Sequence, residues 1–137
     1  MQTLRVLVAD DYEVFRGYLI TYLLEHQGYD VIGEAKDGRE AVTLTQILHP
    51  DVILLDINMP KVGGIEAAKL IKQHSPSTKI VFVTIHDEEI YHVITKQLDV
   101  AGFICKATLK QDMMRVLNKI RTVSGEEPND GGQSEDS

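Results

Sequence analysis

Val52-Ile53-Leu54-Leu55-Asp56-Ile57-Asn58-Met59-Pro60 opens on four consecutive apolar residues, then passes to an aspartate, an asparagine and a proline, with Gly63-Gly64 close behind. An unbroken apolar run fits a strand buried on both faces, and the Asn, Pro and Gly residues force a turn. An unpaired carboxylate beside a buried strand is costly. Asp56 therefore either caps a loop or performs chemistry. In a parallel α/β sheet, ligands gather at the carboxyl ends of the strands. What the other strands deliver to that edge decides between the two.

Outward from this strand the pattern alternates. LRVLVA (4–9) is a β-rich run ending at Asp10-Asp11. From Tyr12 onward, Val14, Phe15, Tyr18, Leu19, Tyr22 and Leu23 recur at helical spacing, and Gly28 is expected to end that helix. Tyr29 to Ala35 reads as a second strand and Asp37-Gly38 as a turn. Ala41, Leu44, Thr45 and Leu48 give a second amphipathic helix that stops before Pro50. Beyond the opening stretch, Ile65, Ala68 and Ile71 mark a third helix ending near Ser75-Pro76. KIVFVT (79–84) is a fourth strand. Ile90, Val93, Ile94, Gln97 and Leu98 form a fourth helix, with Asp87, Glu88 and Glu89 at its start, where the helix dipole favours anions. Gly102 to Cys105 is a short fifth strand, and Leu109, Met113, Val116, Leu117 and Ile120 line a fifth helix. Five strands alternating with five helices predict an α/β fold with a doubly wound, five-stranded parallel sheet.

Composition sets the bounds. The 137 residues suit one domain with a real core, and 43% apolar with 26% charged residues fits a globular protein. No apolar run approaches the roughly 18 residues of a membrane span. The single Cys105 excludes an internal disulfide framework and a Cys-rich zinc site. A cytoplasmic protein with no membrane partner is the expectation. Of the net charge of −7, residues 124–137 carry −5 through Glu126, Glu127, Asp130, Glu135 and Asp136, leaving −2 for residues 1–123. The body has no basic stripe of the kind that binds nucleic acid. The expected organisation is one domain over 1–123, followed by an acidic, disordered tail or linker over 124–137.

The strand ends carry the chemistry. They deliver Asp10 and Asp11, then Asp56, Thr84 and Lys106, whereas the second strand brings only Lys36 and Asp37. If the first and third strands are neighbours, three carboxylates converge. Their repulsion raises at least one pKa unless a cation sits among them. Hard oxygen ligands without His or Cys favour Mg²⁺, with Mn²⁺ as a substitute. Lys106 and the Thr84 hydroxyl suit phosphate oxygens. A carboxylate can attack a phosphoryl group to form an aspartyl phosphate, and Asp56, at the central strand, is the natural nucleophile.

Asp10-Asp11, Asp56 within DINMP followed by Gly63-Gly64, Thr84 and Lys106, each in order on the right strand end, resemble the CheY-like receiver domain of two-component response regulators. The likeness covers about residues 3–123, and the spacing and the GFICK ending are similar to receivers attached to helix-turn-helix outputs of the NarL/LuxR type. The resemblance implies a flavodoxin-like (βα)5 sheet of order 2-1-3-4-5. It implies that Asp56 takes a phosphoryl group from a sensor histidine kinase, a phosphotransfer protein or a small phosphodonor. Asp11, Asp56 and the backbone carbonyl of Asn58 would bind Mg²⁺, with Asp10 acting largely through water. Thr84 and Lys106 would hold the phosphoryl oxygens, and Phe103 would be the aromatic that changes rotamer on activation. The output would be a downstream protein, a separate output domain or a phosphorylation-linked homodimer. Phe103 lacks the hydroxyl of the tyrosine many relatives carry, Ile85 stands where a small residue is common, and Ala107 replaces a frequent proline. The side chains of Asn58, Ile85 and His86 occupy positions that tune dephosphorylation in the family.

Other readings compete. Asp10-Asp11 could cap the first helix. An aspartate-based phosphatase would need an Asp two residues after its nucleophile as acid/base, and here that residue is Asn58. A dinucleotide-binding module would need a Gly-rich loop after the first strand, which is missing. A receiver fragment of a DNA-binding transcriptional regulator, its output domain lying elsewhere, is the alternative closest to the leading reading. DNA binding by these 137 residues themselves is not expected.

Overall fold

The computed structural model describes residues 3–85 and 89–123. In chain order the elements are β1 (Leu4–Ala9), α1 (Glu13–Leu24), β2 (Tyr29–Ala35), α2 (Gly38–Leu48) and β3 (Val52–Asp56), then α3 (Gly64–His74), β4 (Lys79–Thr84), α4 (Glu89–Leu98), β5 (Gly102–Cys105) and α5 (Leu109–Val123). A short 3-10 turn, Lys106–Thr108, links β5 to α5. The sheet is parallel throughout, in the order β2-β1-β3-β4-β5.

Alternation along the strands builds two cores. Val6, Val8, Leu54, Val81, Val83 and Ile104 face α1 and α5. Leu7, Ala9, Ile53, Leu55, Ile80 and Phe82 face the opposite way, onto α2 and α3, with Tyr91 and Leu98 of α4 partly buried against them. Two-sided burial explains why β1, β3 and β4 read as unbroken apolar runs. It also locks register, because a one-residue slip would exchange every side chain between the two cores. The register pairs Ala9 with Leu55, Asp56 with Val83 and Thr84 with Cys105.

Three local expectations need correction. The first helix ends at Leu24, not at Gly28; Gly28 (φ 101°) instead makes the turn into β2. Val14 and Tyr18, read as core positions, are exposed, and α1 buries only Leu19, Tyr22 and Leu23. Asp37-Gly38 is not a free turn. Asp37 is the N-cap of α2, its Oδ1 accepting the Glu40 N–H at 2.8 Å, while Glu40 Oε1 accepts the Lys36 N–H at 2.9 Å. β1 and β2 also contain a register shift at Val6/Leu7 that the pattern did not signal. Asp87, Glu88, His86 and the 124–137 tail lie outside the described residues.

The β3–α3 loop is held by a close backbone approach. The Gly64 N–H donates to the Ile57 carbonyl at 2.7 Å, and a Cβ on Gly64 would fall onto the Asp56 carbonyl oxygen and within 2.6 Å of Ile57 Cα. Gly17 in α1 has nothing within 4 Å of a Cβ.

Alanine acts in opposite directions at these two glycines. Gly17→Ala stabilises by about 0.5–1 kcal/mol, as expected for an exposed helix interior. Gly64→Ala destabilises by about 2 kcal/mol or more, because backbone must move. Urea melts of the two variants check both signs, and a neutral Gly64→Ala would show that the loop yields freely. The Asp37 carboxyl is held below its ordinary range, chiefly by the Glu40 N–H and then by Lys61, whose Nζ lies 3.6 Å from Oδ2. A lowered pKa gives stability that is present above the unfolded value and lost as pH falls through the folded one. Asp37→Ala should cost about 1 kcal/mol at neutral pH. The deficit against wild type should close below the carboxylate range, and Asp37→Asn should retain most of the cap. Melts from pH 7 down to acid test this.

Candidate functional site

The register that fixes the sheet also assembles the site. Asp10 and Asp56 sit one residue apart from the same aligned pair, Ala9 and Leu55, on adjacent strands. Thr84 lies one residue past the partner of Asp56, and Lys106 one residue past the partner of Thr84. Asp10, Asp56 and Thr84 are buried, and Asp11 is exposed at the rim. One oxygen from each of Asp10, Asp11 and Asp56 lies within 4.8 Å of the others.

Neither of the paired aspartates caps α1. The N-cap position is Tyr12, with no side-chain cap bond. Asp10 Oδ1 accepts the Tyr12 N–H at 2.9 Å, and the Asp10 carbonyl accepts from the Arg16 guanidinium at 2.7 Å. Asp10 is thus held in place with Oδ2 turned to the site.

Lys106 supplies the counter-charge. Its Nζ lies 2.9 Å from Asp10 Oδ2 and 3.9 Å from Asp56 Oδ2, with the side chain 13% exposed. The Asp10 contact is close enough for an ion pair but out of hydrogen-bond alignment, and the buried Oδ2 has no hydrogen bond. Asp56 is pushed up to about 7. Burial is the main cause, followed by the charge of Asp10. Lys106 and the Asn58 N–H, 3.4 Å from Asp56 Oδ1, pull it back only in part. One lysine does not neutralise three carboxylates. A buried oxygen without a hydrogen bond, among three converging carboxylates, fits a hard, oxygen-seeking divalent cation.

The other expected residues fall at different distances from this centre. Asn58 is exposed on the β3–α3 loop. Phe103 is half-buried and its ring packs at a tilt against His92, with centroids 4.3 Å apart. Sequence reasoning gave His92 no role. Ile85 is 67% exposed, so its bulk projects to solvent. No cis peptide bond occurs among the described residues, and Lys106–Ala107 is trans. The residue that the sequence reading missed is Phe15. Lys106 Nζ stands 4.1 Å from its ring centroid. Phe15 was hidden because it falls on the apolar stripe of α1 and reads there as core.

Comparison with known proteins agrees with this architecture. Residues 6–118 match the response regulator receiver domain family. DegU of Brevibacillus brevis, a transcriptional regulatory protein, is 35% identical over 121 residues, covering 88% of this chain and 50% of DegU. The response regulator GacA of Pseudomonas aeruginosa is 31% identical over 117 residues, covering 85% of this chain and 55% of GacA. The chain therefore spans about half the length of these curated relatives. The signal receiver domain of NarL from Mycobacterium tuberculosis superposes with a TM-score of 0.81 at 30% identity, covering 88% of this chain and 98% of that one. No helix among the described residues is long and apolar enough to cross a membrane. The acidic cluster at the ends of β1 and β3, the strand order and the matched span agree: the chain belongs to the response regulator receiver domain family, the signalling switches of two-component systems.

Proposed function

We propose that this receiver is a phosphoacceptor switch in which Asp56 is the acceptor. The observation that carries the reading is the placement of Asp56 at the end of the central strand, buried, next to Asp10 and 3.9 Å from the Lys106 ammonium. Ionised Asp56 attacks the phosphorus of a phosphohistidine on a sensor kinase or phosphotransfer protein, or of a small acyl phosphate. An oxygen–phosphorus bond forms. The donor's bond to phosphorus breaks, and the donor leaves with the electron pair and picks up a proton. Asp10, Asp11, Asp56 and the backbone carbonyl of Asn58 would hold Mg²⁺, or Mn²⁺ in its place. That ion, when bound, neutralises the phosphoryl oxygens as charge develops. Lys106 supplies the second positive charge and the Thr84 hydroxyl donates a hydrogen bond to a phosphoryl oxygen. Water later attacks phosphorus, which frees Asp56 and inorganic phosphate.

Thr84 and Phe103 carry the change outward, to the surface of α4, β5 and α5. Asn58, Ile85 and His86 set how readily water reaches the phosphoryl group. The working unit is residues 1–123, with 124–137 as an acidic tail or linker. It acts in the cytoplasm, and its output is a downstream protein, a separate output domain or a phosphorylation-linked homodimer. A second reading is favoured by the length relation to relatives such as DegU, named a transcriptional regulatory protein. In that reading this receiver controls a DNA-binding domain outside these residues.

Acetyl phosphate with Mg²⁺ should add one phosphoryl group by intact-protein mass spectrometry. Chelation of the metal or Asp56→Ala should abolish the adduct, and Lys106→Ala should slow its formation by roughly tenfold or more, the scale of one lost charge contact in a transition state. A wild-type chain that gains no mass under these conditions would sink the reading. Sedimentation with and without beryllofluoride separates a dimerising switch, which gains mass, from a monomeric one, which does not.

A further inference from the structure

We propose that Phe15 is a positioning residue for Lys106, its ring face holding the ammonium in the gap between Asp10 and Asp56. The inference rests on the reading of Lys106 as the group that meets the phosphoryl oxygens, and it adds a residue which that reading does not contain.

The geometry is direct. The ammonium is 4.1 Å from the Phe15 ring centroid, well inside the roughly 6 Å reach of a cation–π contact. The lysine side chain is only 13% exposed, so water screens the contact weakly. Lys106 needs such a contact because an ammonium is a point charge on a flexible four-carbon stem, without the planar fork that lets arginine pin itself to a carboxylate. Its two anionic neighbours pull unequally, at 2.9 and 3.9 Å, and the nearer contact lacks hydrogen-bond alignment. Carboxylates alone therefore leave the ammonium drawn toward Asp10.

Packing accounts for only part of Phe15, whose ring is partly buried against the core that α1 and α5 cover. The buried residues of α1 are Leu19, Tyr22 and Leu23, whereas Phe15 is half-buried near the start of the helix, its ring 6.0 Å from that of the exposed Tyr18. An acidic residue there would hold the ammonium too, but it would compete with an incoming phosphoryl group. A leucine would fill the space without attracting the charge. An aromatic face attracts the ammonium without neutralising it. When a cation engages Asp10 or a phosphoryl group arrives on Asp56, Lys106 must exchange one anionic partner for another. The ring contact is the one that need not change.

The test varies the ring electronically while keeping its shape, in the full 137-residue chain. Position 15 carries Phe, 3,4,5-trifluorophenylalanine, Tyr or Leu, each with Lys106 intact and with Lys106→Met. Beryllofluoride affinity in Mg²⁺ is read by NMR titration, and urea melts report stability. With Lys106 intact, the trifluorinated and Leu variants should bind beryllofluoride about 3- to 10-fold more weakly, and Tyr should stay within about 2-fold, in line with the cation–π range. The gradient should vanish in the Lys106→Met background, with Phe and trifluorophenylalanine melting alike. If Lys106→Met weakens binding but ring fluorination does not, Phe15 is ordinary packing and the proposal fails while the phosphoryl-binding reading stands. If Lys106→Met itself leaves affinity unchanged, the reading of Lys106 falls and this proposal with it.

Discussion

Asp56 is a carboxylate placed where burial opposes its charge, and the arrangement of the carboxyl edge follows from managing that conflict. Its hydrogen bonding is slight: the Asn58 N–H is 3.4 Å away, long for a bond that should stabilise an anion. Asp10 adds to the repulsion instead of relieving it, and Lys106 sits closer to Asp10 than to Asp56. A loop cap would look different, as Asp37 shows, with its short bond from Glu40 N–H and a lowered pKa. The two aspartates are chemically identical and separated by environment alone. One is satisfied by backbone. The other is weakly hydrogen-bonded and held among like charges, a perturbed environment of the kind that marks functional carboxylates.

Such a site stays assembled only if the strands cannot slide. Leu7, Ile53, Leu55 and Phe82 on one face, and Val8, Leu54, Val81 and Ile104 on the other, are almost completely removed from water. Each large side chain contributes about 1.5–3 kcal/mol by burial. Several on each face outweigh the few kcal/mol that an uncompensated carboxylate costs. Because both faces are core, the sheet has one acceptable register. That register carries Asp10, Asp56, Thr84 and Lys106 to one edge as a consequence of packing.

The fold was legible because its signals are periodic. Unbroken apolar runs gave strands, 3.6-residue spacing gave helices, and their alternation gave a parallel sheet; the one large error, the end of α1, came from taking Gly28 as a helix stop when its positive φ serves the turn before β2. The acidic edge was legible as well, since the residue following a buried strand is a fixed point in the sequence. Contacts between side chains on different elements were not. Phe15 satisfies the α1 periodicity whether it faces Leu19 or Lys106, and only the tertiary approach of the β5 end to α1 distinguishes them. His92 likewise carries no sequence signal for its ring contact with Phe103, because the register of α4 on the sheet is set by packing. The exposure of Val14 and Tyr18 was missed for a related reason: an apolar stripe predicts a face, and α1 has more apolar residues than the sheet covers.

The signs of the two perturbed carboxylates separate scaffold from site. Asp37 has a lowered pKa, so its contribution to folding is in place at neutral pH and is lost only as acid reaches its folded value. Asp56 runs the other way. Its pKa is raised to about 7, above an ordinary carboxylate near 4. Between those values the unfolded chain carries the charge and the folded chain does not. Stability therefore falls as pH rises from the ordinary carboxylate range, and by about 7, where the folded chain ionises too, the full penalty of a buried anion is in place. A residue kept only for stability would not be placed where ionisation penalises the native state at neutral pH. The penalty is relieved by anything that brings positive charge to the edge. On the proposed function, folding energy from the two cores is held as affinity for a cation and for the phosphoryl chemistry that the cation accompanies.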